Sequence, residues 1–416
     1  MVPEGWEEGR VGDLLEKLES GVSVNGEDRP LQPGEFGVLR VSSVTYGTFK
    51  PSAAKAIVPK DISRAKCHPR AGQIIISRSN TDELVGASAF VEKDYPNLYL
   101  SDKLWQTVPK PHANMKWLSY VLASKHTRYL LSNLATGTSG SMKNITKDEL
   151  LTLKASIPPT QEQKKIAQIL STWDNAISAN ERLLENSQQR KKALMQQLLT
   201  GKKRLPGFEG EWSYHYLTDV AEVIVSPVDK KTIDGEVSVE LCNYTDVYYN
   251  HKITRSLKFM KATAKPSEIE KYTLKINDVI ITKDSETPGD IAVPALVYED
   301  LKGVVCGYHL AIVRPSPEIL SGAFLNYLFS MPKTRYYFFT LATGATRFGL
   351  SVGGINKAYF QFPPLDEQQA IANVLTTADQ EIDALQKRLD HLKQEKKALM
   401  QQLLTGKRRV QVDDAA

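Results

Sequence analysis

Short polar side chains cluster in the loops that follow the predicted strands of this chain. Arginine can donate two hydrogen bonds to guanine and asparagine can pair with adenine, whereas serine and threonine reach a base or a phosphate. Such loops could therefore read the base edges of double-stranded DNA. The candidate DNA-contacting residues are Arg40, Ser42, Ser43, Arg78, Ser79, Asn80, Thr81, Thr136, Thr138, Ser139, Ser141, Lys143, Asn144, Asn243, Tyr244, Thr245, Lys283, Ser285, Tyr308, His309, Thr343, Thr346, Arg347 and Phe348.

The same residue types also favour ordinary turns, because Ser, Thr, Asn and Gly stabilise turn conformations. For any single loop, a contact with DNA and a plain turn both remain open. The Thr-Gly loops that begin at Thr136 and Thr343 are placed alike in the two halves of the chain. This matched placement favours a function for those two loops.

Sequence patterns for catalysis are missing. The sequence contains no GxxxxGK[ST] loop and no GxGxxG between a strand and a helix. The strings nearest to the amine-holding element of amino-methyltransferases, Ile157-Pro-Pro-Thr160 and Phe362-Pro-Pro-Leu365, lack the leading polar residue. Asp284-Ser285-Glu286 suggests a nuclease carboxylate pair, but the matching Ser79-Asn80-Thr81 has no carboxylate. We therefore expect a chain that performs no chemistry.

Composition narrows the class of protein further. The three cysteines are isolated and the seven histidines do not cluster, which disfavours a metal site or a disulfide scaffold and favours a reducing compartment. Apolar stretches fall short of the roughly 20 residues of a membrane span, and the N-terminus does not look like a signal peptide. These features predict a cytoplasmic protein.

Net charge is a modest +5. Residues 161–204 alone carry nine Lys or Arg against four Asp or Glu. The rest of the chain is thus nearly neutral, although neutralising phosphates supplies much of the affinity for DNA. We expect either a concentrated basic face or partners that help to hold the DNA.

An internal repeat sets the architecture. The twelve-residue string at 191–202, Lys-Lys-Ala-Leu-Met-Gln-Gln-Leu-Leu-Thr-Gly-Lys, recurs unchanged at 396–407, 205 residues later. Weaker matches precede it, such as residues 72–78 with 277–283 and 134–137 with 341–344. Such a period predicts two half-molecules in tandem. The expected order is a variable α/β domain at 1–157, a helix at 158–204, a second variable domain at 205–362, a helix at 363–410 and a tail at 411–416.

The two predicted helices have a heptad seam. Each follows Pro-Pro, and each ends at a glycine, Gly201 or Gly406. Thr160 with Gln163, and Asp366 with Gln369, could form capping boxes. A seam of this period predicts that the helices pair with each other, antiparallel, within one chain. The residues expected to serve helix pairing and partner docking are Leu170, Trp173, Ile177, Leu184, Leu194, Leu198, Leu375, Ile382, Leu389, Leu399 and Leu403.

Within the variable domains, residues 36–41, 73–77, 279–282 and 310–313 read as strands. Residues 115–132 and 323–338 have helical spacing. The predicted fold class is α+β: two globular α/β domains in tandem, separated and joined by two long antiparallel coiled-coil helices, with a pseudo-twofold internal repeat.

The tandem order, the Pro-Pro-x-x-Glu-Gln helix starts and the paired Lys-Lys-Ala-Leu-Met-Gln-Gln-Leu-Leu-Thr-Gly ends resemble the specificity subunit of type I restriction–modification systems. The resemblance implies two target-recognition domains, each binding one half of a split DNA site. It implies helices that set the gap and dock two modification (methyltransferase) subunits, joined by restriction (translocase and nuclease) subunits. It also implies that S-adenosylmethionine, ATP and Mg²⁺ belong to those partners and that this chain binds no cofactor.

Two other interpretations compete with this one. The first is a non-enzymatic, two-headed adapter that binds proteins or glycans and uses the coiled coil as a spacer. The second is a fragment of a fused methyltransferase–nuclease, which the missing catalytic elements disfavour.

Overall fold

The computed structural model describes residues 2–137 and 142–412. The chain forms two compact units. Unit 1 comprises Met1–Glu181 with Arg388–Ala416, and unit 2 comprises Arg182–Lys387. Each unit therefore contains one globular domain and a part of both long helices.

In its described residues, the first globular domain contains short strands, three α-helices and three 3₁₀ helices (Val11–Leu14, Val41–Ser43 and Pro59–Arg64). Its strands and helices, followed by the first long helix α4, are β1 (Glu7–Arg10), β2 (Leu15–Ser20), β3 (Gly26–Glu27), β4 (Gly37–Leu39), β5 (Val44–Thr45), β6 (Thr48–Phe49), β7 (Ala54–Ile57), β8 (Ile74–Ser77), β9 (Ser79–Asn80), β10 (Ser88–Phe90), β11 (Leu98–Tyr99), β12 (Leu104–Pro109), α1 (Met115–Ala123), α2 (Lys125–Leu134), β13 (Lys143–Asn144), α3 (Lys147–Leu151), β14 (Lys154–Ile157) and α4 (Thr160–Leu198).

The second globular domain follows the same plan, with a 3₁₀ helix at Pro288–Asp290. Its elements, followed by the second long helix α11, are β15 (Ser213–Tyr216), α5 (Leu217–Val220), β16 (Ala221–Val225), β17 (Val237–Cys242), α6 (Tyr244–Tyr248), β18 (Lys252–Ile253), β19 (Met260–Ala264), α7 (Pro266–Tyr272), β20 (Val279–Thr282), β21 (Asp284–Ser285), β22 (Pro294–Val297), β23 (Val305–Cys306), β24 (Leu310–Pro315), α8 (Gly322–Ser330), α9 (Pro332–Leu341), β25 (Phe348–Gly349), α10 (Val352–Asn356), β26 (Tyr359–Phe362) and α11 (Leu365–Leu403).

The sheets of the two domains share most of their strand order. The first domain has an antiparallel sheet in the order β2-β12-β8-β10, which corresponds to β16-β24-β20-β22 of the second domain, where β18 adds a fifth strand parallel to β22. A smaller mixed sheet, β11-β4-β7-β3, corresponds to β19-β17-β23. In both domains the first strand pairs with the last, β1 with β14 and β15 with β26. The repeat seen in the sequence is thus a repeat of topology.

Both faces of the central sheets are covered. In β8, Ile74 and Ile76 join one apolar cluster and Ile75 joins another. In β20, Val279 and Ile280 divide between two clusters in the same way. A strand that is buried on both faces has a continuous apolar sequence. This is why the runs Ile-Ile-Ile and Val-Ile-Ile predicted strands.

The helical stretches at 115–132 and 323–338 are each two helices rather than one. Ser124 is extended (φ −64°, ψ 149°) and its side chain accepts from the backbone N–H of Thr127, which starts α2. Pro332 lacks a backbone N–H and starts α9. These local stops outweigh the apolar spacing that predicted continuous helices.

Within each unit the long helices run antiparallel. In unit 1, Asp174 and Glu181 of α4 pair with Lys396 and Lys393 of α11. As the position in α4 rises, the position of its partner in α11 falls. In unit 2, Ser187 of α4 bonds to Glu381 of α11 at 3.0 Å, and Lys191 pairs with Asp379 in the same sense. The antiparallel pairing that the heptad seam predicted is present in both units.

The seam residues pack against the globular domains as well as against each other. Leu170 and Leu403 belong to the main core cluster of the first domain, and Leu198 and Leu375 to that of the second. Leu184 and Leu389 are also buried. The remaining predicted seam residues are half-buried: Trp173, Ile177, Leu194, Ile382 and Leu399. Each long helix therefore contributes one seam leucine to the core of each domain.

Candidate nucleic-acid interface

The loops after β8 are joined into one polar edge in the first domain. Strand β9 pairs with β13, so that Ser79 lies opposite Asn144 and Asn80 opposite Lys143. Thr136 exchanges two backbone hydrogen bonds with Asn144, at 2.9 and 2.8 Å. We call residues 78–81, 136–137 and 142–144 the first polar edge. Loops separated by more than fifty residues in the sequence therefore form a single surface.

The side chains of the first polar edge divide into two groups. Ser79 and Asn80 are buried, and the Asn80 amide donates to the Ser77 hydroxyl at 3.3 Å while its oxygen accepts from the N–H of Thr81. Thr81 and Thr136 are exposed. Arg78, Lys143 and Asn144 are half-buried, and Lys143 lies 3.7 Å from Asp82. The buried pair shapes the edge, and the other side chains are available to a ligand. Thr138, Ser139 and Ser141 lie outside the residues that the structure describes.

The candidates after β4 lie on the smaller sheet. Arg40 pairs with Asp28, and Ser42 is exposed on the 3₁₀ helix that follows. Ser43 is completely buried, at 0% exposure, and its backbone bonds to Arg40 and Lys50. Its hydroxyl is therefore away from the surface that a DNA contact would need.

The second domain has an edge of the same construction. Strand β21 pairs with β25, so that Asp284 lies opposite Gly349 and Ser285 opposite Phe348. Thr343 exchanges two backbone bonds with Gly349, at 3.1 and 2.9 Å, as Thr136 does with Asn144. We call residues 283–285, 308–309 and 343–349 the second polar edge. Thr343, Thr346 and Arg347 are exposed, and Phe348 is half-buried.

Charged side chains form a chain of contacts on the second polar edge. Nζ of Lys283 lies 2.8 and 2.7 Å from the Asp284 carboxylate oxygens, and Nδ1 of His309 lies 3.3 Å from Oδ2. The guanidinium of Arg347 lies 2.7 Å from Nε2 of His309. The same guanidinium nitrogen lies 3.1 Å from Nδ1, so Arg347 contacts both ring nitrogens of His309. Asp284 thus positions His309, and His309 positions the exposed Arg347.

Helix α6 joins this edge through a tyrosine. The Tyr244 hydroxyl donates to Ser285 at 3.3 Å, and burial raises the pKa of Tyr244. Asn243 is buried beside it, whereas Thr245 is exposed. Tyr308 is 47% exposed and packs edge-on against His309. The predicted residues of the second domain therefore come together, but Asn243 and Ser285 are buried and so do not form part of the exposed surface.

Sequence reasoning missed the arginines that hold these edges. In the first domain, Arg128 donates to the backbone carbonyls of Glu83 and Val85 at 2.6 Å. In the second, Arg335 donates to the carbonyl of Gly289 at 2.6 Å. Both hold the loop that follows the edge strand, and burial lowers the pKa of each. The signal was the tripeptide Thr-Arg-Tyr, present at 127–129 and again at 334–336.

The Glu-Gln pairs at the helix starts form junctions with the rest of each unit. In unit 1, Glu162 accepts from Arg409 and from the indole of Trp6, at 3.0 and 3.1 Å. In unit 2, Glu367 accepts two bonds from Arg204, at 2.5 and 2.6 Å, and those bonds raise the pKa of Arg204. The arginines lie just beyond the two identical strings, so the strings end at matching ion pairs.

The glutamines do not form the expected capping boxes. Gln163 is buried, its side chain accepting from the N–H of Asn114 and donating to the carbonyl of Pro158. In the second copy Gln368, rather than Gln369, has this role, bonding to Ser321 and Pro363. Each glutamine thereby ties the start of a long helix to the start of α1 or α8. Gly201 and Gly406 have φ of +68° and +67°, the left-handed conformation expected after a helix.

Among the residues that the structure describes, His, Cys, Asp and Glu side chains form no group that could hold a metal ion. In the same part of the chain, no helix has both the length and the apolar character needed to cross a bilayer.

Comparison with known proteins identifies the family. A family model described as the type I restriction modification DNA specificity domain matches residues 3–186 and again residues 209–394. Together the two matches cover most of the chain. The chain belongs to this family. The first polar edge lies in the first specificity domain and the second polar edge in the second.

Relatives and solved structures agree with this assignment. The chain is 23% identical to the type I restriction enzyme MjaVIII specificity subunit of Methanocaldococcus jannaschii, over 98% of this chain and 94% of that protein. It shares its fold with the HsdS subunit from Thermoanaerobacter tengcongensis (TM-score 0.51, 19% identity, 97% and 98% of the two chains). It also shares its fold with the type I restriction–modification S subunit from M. genitalium (TM-score 0.60, 14% identity, 97% and 96%).

Proposed function

We propose that this chain selects the DNA sequence for a type I restriction–modification complex, with each specificity domain reading one half of a bipartite site. The observation that carries the proposal is a polar edge built twice on one backbone plan. Membership of the DNA specificity family supports DNA as the ligand.

The two edges differ in the groups that they present. The first offers the hydroxyls of Thr81 and Thr136 with Arg78 and Lys143, whereas the second offers Arg347 with Tyr308 and Thr343. A common frame with different donors and acceptors suits two different half-sites, because base edges are distinguished by their hydrogen-bonding patterns. Two domains with the same topology but different side chains could each recognise a different half-site.

The long helices have a separate role in this proposal. Each spans 39 residues, a rise of about 58 Å, and would act as spacer between the half-sites. Their identical strings would present equivalent surfaces to two methyltransferase subunits, with restriction subunits joining the assembly. S-adenosylmethionine, ATP and Mg²⁺ would be held by those partners, and this chain would contribute recognition alone.

The proposal is tested by DNA binding of the chain assembled with its methyltransferase partner. We expect salt-sensitive, sequence-selective binding. Arg347→Ala should weaken binding to the complete site by about tenfold or more, the range for loss of one specific arginine contact. Thermal unfolding should be unchanged, because Arg347 is exposed.

Lys275→Ala is the matched control. It removes one exposed positive charge four residues before β20, at the opposite end of that strand from Lys283. Its effect on binding should be small. Equal effects of the two variants would argue against recognition by the second polar edge. Binding without sequence selectivity or salt dependence would favour the protein- or glycan-binding adapter.

A further inference from the structure

In unit 1, one tyrosine, one aspartate and one lysine join three separate elements. Tyr120 lies on α1, Asp174 on α4 and Lys396 on α11. The Tyr120 hydroxyl donates to Oδ2 of Asp174 at 2.5 Å, and Nζ of Lys396 lies 2.5 Å from Oδ1. The same Nζ lies 5.3 Å from the centre of the Tyr120 ring. The Asp174 carboxylate therefore links the globular domain to both long helices.

Unit 2 contains the same arrangement with the helices exchanged. Tyr327 lies on α8, Asp379 on α11 and Lys191 on α4. The Tyr327 hydroxyl donates to Oδ2 of Asp379 at 2.7 Å, and Lys191 pairs with Oδ1. Nζ of Lys191 lies 5.6 Å from the centre of the Tyr327 ring. Two domains with divergent sequences have kept one three-element contact.

Both clusters are partly shielded from solvent, although the Asp174 side chain is 39% exposed and that of Asp379 is 22% exposed. Tyr120 and Tyr327 are each 6% exposed, and the Lys396 and Lys191 side chains are each 19% exposed. Burial raises the pKa of both tyrosines, and so do their aspartate partners, which keeps the hydroxyls protonated as donors. Shielded ion pairs are screened by salt less than surface pairs are. The geometry is thus held by directional contacts that are partly shielded from solvent.

The position of the lysines explains part of the identical string. Lys191 and Lys396 are its first residues in the two copies, and both occupy seam positions that leucine fills elsewhere. A buried ion pair often contributes less stability than apolar residues of similar size. A polar residue in a seam instead restricts the register, because a shifted helix loses its partner. The clusters are better suited to fixing a geometry than to adding stability.

We propose that each Tyr–Asp–Lys cluster is a latch that fixes the orientation of its recognition domain on the helix pair, so that the two latches set which gap between half-sites is accepted. This inference rests on the proposed function. The latch residues contact no base and act as positioning residues. A cluster that only stabilised the fold would leave the gap preference unchanged when loosened.

The test uses the full chain in complex with its methyltransferase partner. The probes are synthetic duplexes carrying the half-sites of the unmodified chain, with the native gap or one base pair more or fewer. Lys396→Met keeps the bulk of the seam residue and removes its charge. The preference for the native gap should fall about tenfold, as expected for a lost charge-assisted hydrogen bond. The recognised bases should stay the same.

Two further variants keep the result interpretable. Tyr120→Phe removes only the hydroxyl and should broaden the gap preference in the same direction. Exchanging the charges, Asp174→Lys with Lys396→Asp, should recover part of the native preference. The control is Glu181→Gln, which disrupts a pair with Lys393 that spans 2.7 Å between half-exposed side chains. The gap preference of the control should equal that of the unmodified chain.

An unchanged gap preference in both Lys396→Met and Tyr120→Phe would overturn the latch, whatever their thermal stability. Weaker methyltransferase binding, with an unchanged gap preference of the complex that still forms, would assign the cluster to partner docking and would also overturn the proposal. If the unmodified chain selected no sequence, the proposed function itself would fail. That result depends only on the unmodified chain, so failure of the proposed function can be distinguished from failure of the latch, which is measured on the variants.

Discussion

Exchanging residues 1–157 for the matching segment of another family member will replace one half of the recognised site and leave the other half unchanged. The segment contains the whole first polar edge, and Arg128, which holds that edge, lies within it. The second polar edge is built only from residues of unit 2. The expected change is complete, since the new half-site should be that of the donor protein.

The structure adds a condition that the incoming segment must meet. It has to supply a tryptophan at the position of Trp6 and a tyrosine at the position of Tyr120, because these contact Glu162 and Asp174 of the retained helix. The measurement is the methylated sequence produced by the chimaera. The reciprocal exchange of residues 205–362 serves as the control and should alter the other half-site. Changes in both half-sites from one exchange would show that the domains do not read independently.

Lengthening both long helices by one heptad will widen the gap without altering either half-site. The boundary between the units falls after Glu181 in α4 and after Lys387 in α11. Seven residues inserted at both points keep the pairs Asp174–Lys396 and Lys191–Asp379 intact within their units. Seven helical residues add about 10.5 Å, or up to about three base pairs of DNA. Gap length is measured by mapping methylated sites.

An insertion in α4 alone is the matched control. It would shift one helix against the other by about two turns, separate the paired charges and abolish methylation. An insertion after Gly201 would fall between α4 and Arg204, which pairs with Glu367. It would disturb that junction instead of lengthening the helix. An unchanged gap after the paired insertion would show that the long helices do not set the distance between the half-sites.

The architecture of two domains and two long helices could be predicted from the sequence because it depends on periodic patterns. The identical string, the heptad seam and apolar runs such as residues 279–282 predicted two domains, two paired helices and strand β20 with its observed bounds. The residues at which helices end were harder to predict. Ser124 and Met331 interrupt helices whose apolar spacing continues past them, since a single extended residue suffices to end a helix.

The candidate site was only partly predictable. The loops were found by composition, and the pairing of β9 with β13 and of β21 with β25 brings them together. Composition could not show that Ser43 is buried, because burial depends on contacts far away in the sequence. Pairs such as Glu162 with Arg409, 247 residues apart, are likewise set by tertiary packing.

The most direct measurement is a map of methylated bases in DNA from cells that express this chain with its modification subunit. We expect a single bipartite motif: two short, different half-sites separated by an unread gap of fixed length. Methylation at a continuous motif, or without any sequence preference, would contradict it.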